Sequence, residues 1–304
     1  MYNQESLILL EEKLGYEKWV LLKAISILEF NYGKISDSRY EFTDESITKI
    51  IEVSDQIGTG LVSELVQDMS PLLFSASYKI LDMIIEWIIC ETDGTCPWSF
   101  SKKIARLNNM QTPLNYPPIF STEPDILNIL VGLYIKWVEY RNAITHGKWG
   151  TNINGNLIFD FTKNGIPYND EIKFVHIMAF AECITLISDV LLGTNVLSRE
   201  VVLMIKYYLD ILEIFHQKQM FNVKFPAYFD VLYKSSVHGN KAVTVDLKKI
   251  RSCLEGDCRN RPYSFSLKIS AIGETCDTIW KIPSINLPDK DTLELDDKWD
   301  QYRI

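Results

Sequence analysis

Residues 121–147 read STEPDILNILVGLYIKWVEYRNAITHG, and they give the clearest helix signal in the chain. The segment opens with two hydroxyl residues, a proline and two acids, which is typical of a first helical turn because these groups cap or face its positive end. Apolar residues then recur at helical spacings of three, four or seven positions, at Ile126, Leu130, Leu133, Trp137 and Ile144. This periodicity predicts a helix with one buried face, ended by Gly147.

The end of this predicted helix carries Arg141, Asn142 and His146. An imidazole moves protons near neutral pH, a guanidinium holds a phosphate with a planar fork of donors, and an amide can orient either one. Asn142 and His146 are four residues apart and share a helix face. Arg141 and His146 are five apart, so their directions differ by about 140°. One helix therefore does not bring these two together, whereas a paired copy of the helix could.

The position of His146 also has chemical meaning. In the last turn it faces the negative end of the helix dipole, which favours the imidazolium form. A phosphate bound nearby would act in the same direction. Such a histidine suits a general acid that protonates a leaving 5′-oxygen; whether it acts as acid, as base for an attacking 2′-hydroxyl, or as both in turn stays open.

The hexamer from Arg141 to His146 resembles the Arg-Asn-x-x-x-His signature of the HEPN superfamily. The upstream segment WSFSKKIARL, residues 98–107, is similar to the short helix that often precedes the catalytic helix in that family. The order of helix, short helix, catalytic helix, insertion and helix over roughly residues 70–195 also resembles a HEPN bundle. The resemblance implies an all-helical domain whose members include RNases of toxin–antitoxin and antiviral systems.

The resemblance further implies a homodimer with a composite active site and a metal-independent endoribonuclease that uses no cofactor. Arg141 would bind the scissile phosphate, His146 would do acid/base work, and Asn142 would orient the histidine or a substrate oxygen. RNA would be the substrate, and an antitoxin or defence protein a possible partner. The biological setting implied is a toxin–antitoxin, abortive-infection or antiviral system.

The charge distribution bears on RNA binding. The net charge of −9 argues against a nucleic-acid enzyme, because phosphate binding is driven by Lys and Arg. However, residues 98–150 carry six bases against three acids, whereas residues 1–97 carry seven against seventeen. Four of these bases are candidate phosphate contacts: Lys102, Lys103, Arg106 and Lys148. Ordinary variation of surface charge explains the same distribution equally well.

A second function class stays open, a non-catalytic HEPN-fold interaction or nucleotide-binding module. In that case Arg141 would pair with Glu139 or Glu123 to cap the helix, and His146 would be an ordinary residue at a helix end. A salt bridge on Arg141 would favour the module, and an accessible Arg141 and His146 facing a shared cleft would favour the enzyme.

The rest of the chain predicts a mainly α fold with a smaller α+β or β-rich C-terminal part. Further helices are expected at 5–32, 44–68, 72–90, 170–192 and 199–220. A β-hairpin is expected near 156–168 around Lys163-Asn164-Gly165, and strands at 242–247, 263–269 and 278–282. Residues 288–304 are expected to form a solvated tail. The predicted domains are an N-terminal helical extension (1–69), a HEPN-like bundle (70–195) and a C-terminal part (196–304).

Targeting signals and cysteines give the remaining expectations. No signal peptide or apolar run of membrane length is apparent, so a cytoplasmic protein with no membrane association is predicted. The six cysteines are expected to be reduced thiols. Cys253, Cys258, Cys276 and His238 could form a zinc site, but the spacing is not that of a common zinc module, and no metal is predicted. His176 and His216 are interpreted as packing residues, although His176 could approach the site.

Overall fold

In the computed structural model of the chain, the described residues are 4–32, 38–43, 46–50, 62–109, 114–195, 197–216, 221–224, 226–236, 243–258, 261–272 and 277–303. They form two compact units. Unit 1 consists of Met1–Gly33, Ile57–Thr194 and Tyr208–Phe221, and unit 2 of Lys34–Gln56, Asn195–Tyr207 and Asn222–Ile304. The fold is mainly α with a sheet part, as predicted.

The helices and strands of the described residues follow in chain order. The helices are α1 (Gln4–Tyr32), α2 (Val62–Asp93), α3 (Phe100–Asn108), α4 (Pro118–Thr122), α5 (Pro124–Thr145), α6 (Phe174–Leu191), α7 (Arg199–Ile211), α8 (Glu213–His216) and α9 (Leu247–Cys258). The strands are β1 (Ser38–Phe42), β2 (Ile47–Ile50), β3 (Gly150–Thr151), β4 (Leu157–Lys163), β5 (Ile166–Ile172), β6 (Ala227–Ser236), β7 (Thr244–Asp246), β8 (Tyr263–Ile272), β9 (Asp277–Pro283) and β10 (Thr292–Glu294). Two short 3-10 turns lie at Ser284–Asn286 and Asp297–Tyr302.

Aromatic side chains join the three core helices of unit 1, which are α2, α5 and α6. Trp137 of α5 is fully buried, and its ring centroid lies 4.8 Å from that of Phe180 on α6 and 5.4 Å from that of Phe74 on α2. Buried rings in such tilted or edge contacts add packing energy beyond the area that they bury. The apolar face predicted for α5 is therefore the centre of the helical unit.

The prediction that the chain has no apolar run of membrane length is wrong for helix α6. Phe174–Leu191 is long and apolar enough to span a membrane, with a mean hydropathy of 1.7. However, 67% of this helix is buried inside the fold. Packing against α2 accounts for its apolar surface, because a helix in the middle of a core is apolar on most of its sides.

The predicted hairpin is confirmed as β4 and β5, with Lys163 opposite Ile166 in the antiparallel register. Asn164 and Gly165 make the turn with φ values of 51° and 80°. Two consecutive positive φ values define the turn type that matches the twist of paired strands, which is why Asn-Gly is favoured there. Strand β5 continues to Ile172, so the helix expected from about residue 170 begins at Phe174.

Unit 2 is built on a five-stranded sheet in the order β2-β1-β6-β8-β9. The central strands β6 and β8 are parallel, with Phe229 opposite Phe265 and Val231 opposite Leu267. These side chains are buried and alternate with more exposed ones along each strand, as the two-residue repeat of a strand requires. Helix α9 adds apolar side chains to the same core.

Two sequence predictions are wrong in unit 2. The helix expected over 44–68 does not form across its whole length, because residues 47–50 are strand β2, paired with β1, and α2 begins only at Val62. The expected solvated tail is instead structured, since β10 pairs with β7 and Trp299 is buried in the sheet core. Strand β7 lies within the predicted strand 242–247, and β8 and β9 lie at the predicted strands 263–269 and 278–282.

The prediction of reduced thiols is wrong for one pair, because Cys90 and Cys96 form a disulfide at the C-terminal end of α2. Cys183, Cys253 and Cys258 are not part of a disulfide. Cys253 and Cys258 of the possible zinc set lie on α9, and Cys276 and His238 lie outside the described residues. The described residues contain no group of three metal-ligating side chains.

Candidate functional site at the end of helix α5

Helix α5 ends in the way that its sequence predicts. Gly147 has a φ of +68°, a conformation that costs glycine little. Its N–H donates to the carbonyl of Ile144 at 3.2 Å, and the N–H of Lys148 donates to that of Ala143 at 2.8 Å. This pair of bonds is the Schellman motif, which satisfies the last carbonyls of a helix. His146 is the capping residue and is held there by backbone bonds, so its side chain is not needed to end the helix.

The three motif residues have different environments. His146 is exposed, whereas Arg141 and Asn142 are half-buried. The Nη1 of Arg141 donates to the Oδ1 of Asn142 at 3.3 Å, and the backbone N–H of His146 donates to the carbonyl of Asn142 at 3.0 Å. Asn142 therefore contacts both other members of the motif, and its side chain positions the arginine rather than the histidine.

A ring of α3 supports the guanidinium of Arg141. The Cζ of Arg141 lies 5.3 Å from the ring centroid of Phe100, a distance at which a cation is attracted to an aromatic face. Phe100 itself packs 6.0 Å and 6.1 Å from Tyr78 and Tyr134, whose rings stack on each other. The short helix predicted over 98–107 thus forms as α3 and fixes the position of the motif arginine. Sequence reasoning did not single out Phe100.

Arg141 makes no ion pair with any carboxylate of the described residues. Glu139, one of the two partners expected if the arginine merely caps the helix, pairs with Lys163 of β4 instead. Burying half of a guanidinium without a counter-charge is unfavourable unless an anion binds there. The end of α5 therefore carries both a positioned cation and an exposed histidine.

Lys103 does not fit the predicted phosphate contact. Its side chain is only 3% exposed, and its Nζ lies 2.8 Å from Asp82 Oδ1 and 2.7 Å from Glu86 Oε2, both on α2. Tyr134 also donates to Asp82 Oδ1 at 2.6 Å. Burial and this hydrogen bond raise the pKa of Tyr134. Lys103 thus belongs to an internal network that joins α2, α3 and α5.

The pH dependence of stability should report this network. Burial alone would raise the pKa of Glu86, yet the hydrogen bond and charge of Lys103 hold that pKa below its usual value. A glutamate whose pKa is lowered by folding stabilises the fold above the pKa of an unfolded glutamate, about 4.3. This contribution is lost as the pH falls through the pKa of the folded state. In urea unfolding, we expect Glu86→Gln to lower the free energy of unfolding at pH 7 and to lower it by a smaller amount at pH 3. A cost that stays constant over this range would contradict the ion pair.

Arg106 is also engaged within unit 1. Its Nε and Nη2 donate to the two carboxylate oxygens of Asp93 at 2.7 Å and 2.9 Å. Such two-point contacts hold a guanidinium more firmly than a single bond does. The predicted phosphate contact of Arg106 would have to compete with this pair.

Lys102 and Lys148 are the two predicted contacts that stay exposed. The Nζ of Lys102 lies 5.5 Å from the ring centroid of Trp98, a side chain that is 81% exposed. Of the four candidate bases, these two are the ones free to approach a phosphate backbone without breaking an ion pair among the described residues.

His176 is buried on α6 and lies 5.0 Å, ring to ring, from Phe215 in an edge contact. Burial and the nearby Lys173 lower the pKa of His176, which disfavours its charged form. The interpretation of this residue as a core histidine is confirmed. His216 bonds the carbonyl of Leu209 at 3.0 Å, a local contact at the end of the same helical segment.

Comparison of the chain with models of protein families, with curated proteins and with solved structures found no match. Inferences about function therefore rest on the residues and the geometry of this chain.

Proposed function

We propose that the chain is a metal-independent endoribonuclease of HEPN type, with its helical unit as the HEPN-like bundle. One observation carries this proposal. The guanidinium of Arg141 is held by Phe100 and Asn142 but has no carboxylate partner among the described residues, and it lies on the same helix end as the exposed His146. A free, positioned guanidinium and an accessible imidazole are the two groups that RNA strand cleavage without a metal needs.

The proposed chemistry assigns one role to each residue. The 2′-hydroxyl of the RNA attacks the adjacent phosphorus, and the bond from phosphorus to the 5′-oxygen breaks. The products are a 2′,3′-cyclic phosphate, or the 3′-phosphate that its hydrolysis leaves, and a 5′-hydroxyl. Arg141 binds the phosphate and stabilises its developing charge. His146 moves a proton to or from a reacting oxygen, and Asn142 orients Arg141 through the 3.3 Å hydrogen bond.

The proposal includes a homodimer whose two α5 ends share a composite cleft. The side chains of Arg141 and His146 have different environments, one packed on Phe100 and the other exposed, as their five-residue separation requires. Pairing of two copies would bring the arginine of one chain to the histidine of the other. A toxin–antitoxin, abortive-infection or antiviral setting in the cytoplasm, with an antitoxin or defence partner, completes the proposal.

The direct test is incubation of purified full-length protein with total RNA in excess EDTA. Cleavage should persist without a divalent metal, and the products should carry a 5′-hydroxyl and a cyclic or 3′-phosphate. A requirement for magnesium, or products with a 5′-phosphate, would exclude the proposed mechanism.

Substrate binding should depend on the two exposed lysines. Lys102→Glu with Lys148→Glu should weaken RNA binding and flatten its salt dependence by roughly 0.7 in log–log slope for each lost single-strand contact. The preferred cleavage sites should not change, because backbone contacts position a strand without identifying its bases. The matched control is Lys173→Glu with Lys281→Glu, two exposed lysines without an ion pair among the described residues. An equal effect of the two double variants on RNA binding would contradict the predicted contacts of Lys102 and Lys148.

A non-catalytic interaction module is the second candidate. The observation in its favour is that two of the four predicted phosphate-binding bases, Lys103 and Arg106, are held in ion pairs with Asp82, Glu86 and Asp93. A net charge of −9 acts in the same direction. Absence of cleavage in the EDTA test, together with binding of a protein partner, would favour this candidate.

A further inference from the structure

Helix α1 is packed on one side only. Its buried side chains are Leu10, Leu14, Leu21, Ala24 and Ile25. The same side is tied to α2 by the hydrogen bond from Trp87 Nε1 to Ser6 Oγ, 2.6 Å long, and to α6 by the ion pair of Lys18 with Asp189. The remaining side of α1 faces away from α2 and α6.

That remaining side carries exposed apolar side chains at regular spacing. Leu9, Tyr16 and Trp19 keep 59%, 70% and 59% of their surface exposed. Together with the exposed Glu12 and Lys23 they form the α1 outer face. The five residues follow one another at intervals of three, four, three and four positions, which is the heptad spacing of a coiled-coil seam. Singly exposed apolar side chains are common, but three of them in one heptad row indicate a contact surface.

We propose that the α1 outer face binds the same face of a second copy of this chain, with the two helices antiparallel. A twofold axis midway between Tyr16 and Trp19 places Tyr16 of each copy opposite Trp19 of the other. The same axis places Glu12 opposite Lys23, so the interface contains two interchain pairs of opposite charge. The face is therefore complementary to itself, as a twofold interface must be.

The charged pair is the reason for choosing a second copy as the occupant. Neither Glu12 nor Lys23 forms an ion pair with a described residue of its own chain, so both charges are available to a partner. A membrane surface would have to accept the charge of Glu12 inside the row and that of Lys23 at its end, which is unfavourable. An antiparallel copy neutralises each of them.

Two further features suit a close helix pair. Gly15 lies beside the outer face, and a Cβ at this position would meet no atom within 4 Å, so another helix can approach here. Ile8 and Leu22, 49% and 42% exposed, flank the row on the same side as Gly15. Two tyrosines and two tryptophans would meet in the pair, and aromatic side chains bury about 150–250 Å² each when fully covered. Stable interfaces bury roughly 1,200–2,000 Å² in total, so these four side chains supply a substantial part.

The test uses charge reversal in the full-length chain, read by light scattering after size exclusion. Glu12→Lys and Lys23→Glu should each place like charges opposite one another and weaken association by more than about tenfold, since such juxtapositions cost several kcal/mol. The mass should fall by half, from dimer to monomer, or from tetramer to dimer if the α5 ends also pair. An equimolar mixture of the two variants should restore the mass through a heterodimer, and the double variant should restore it alone.

The matched control is Glu11→Lys, the same charge change one residue away on the exposed flank of α1. It points about 100° from Glu12 and should leave the mass unchanged. Wild-type protein that is monomeric, or a mass that charge reversal does not change, overturns the proposal. Sedimentation of monomeric protein with phospholipid vesicles would identify a membrane as the occupant instead and also overturns it.

Discussion

His146→Ala should lower the rate of RNA cleavage by about 10²–10⁴-fold, the usual contribution of a general acid or base. The fold should be unaffected, because the side chain is exposed and the helix end is held by the backbone bonds of Gly147 and Lys148. Single-turnover cleavage in EDTA measures the rate, and thermal unfolding checks the fold.

Thr145→Ala is the matched control for this prediction, since it changes an exposed neighbour at the same helix end. It should retain most of the cleavage activity. If the site is composite, a mixture of Arg141→Ala and His146→Ala chains should recover measurable cleavage, because one of the two clefts is then intact. Full activity of His146→Ala would show that the histidine plays no part in the reaction.

Lys103→Met should lower the free energy of unfolding by about 3–5 kcal/mol, the usual cost of removing one member of a buried ion pair. The methionine fills a similar volume but leaves Asp82 and Glu86, whose side chains are 19% and 25% exposed, without their shared counter-charge. The loss should shrink as the pH falls through the lowered pKa of Glu86, because a protonated carboxyl needs no counter-charge. Urea unfolding at pH 7 gives the value.

The neighbouring Lys102→Met provides the contrast. The side chain of Lys102 is exposed and lies over the face of Trp98, so its replacement should change the free energy of unfolding by no more than about 0.5 kcal/mol. Equal effects of the two substitutions would mean that Lys103 is not the buried member of the network.

The contrast between these two lysines also shows what local sequence can predict here. Helix α5 and its end follow from periodicity and from Gly147, and the β4–β5 turn follows from Asn164-Gly165, because these signals act within a few residues. Which of two adjacent lysines is buried depends on carboxylates of α2 that lie about 20 residues earlier. Residue type alone does not carry that information.

The predictions for residues 47–50 and for the C-terminal segment were wrong for the same reason, which is that both segments are shaped by residues distant in sequence. Residues 47–50 become a strand because β1 lies beside them, and β1 is in turn paired with β6. Trp299 is buried by a core assembled from β1, β6, β8 and α9. Such tertiary contacts override local preferences, which is why the charged composition of residues 288–304 wrongly predicted a solvated tail.

The division of unit 2 along the chain has a consequence for biosynthesis. Ser38 of β1 pairs with Phe229 of β6, so this strand leaves the ribosome long before its neighbour is translated. Until β6 is made, the pair β1–β2 has one edge without a partner strand. Helices α2 to α6, by contrast, follow one another with only β3, β4 and β5 between them and can pack as they emerge. The helical bundle can therefore fold earlier during translation than the sheet. Any version of the protein shortened after residue 221, which retains the packing of Phe215 on Trp137, would keep the bundle and leave β1 as an open edge that invites aggregation.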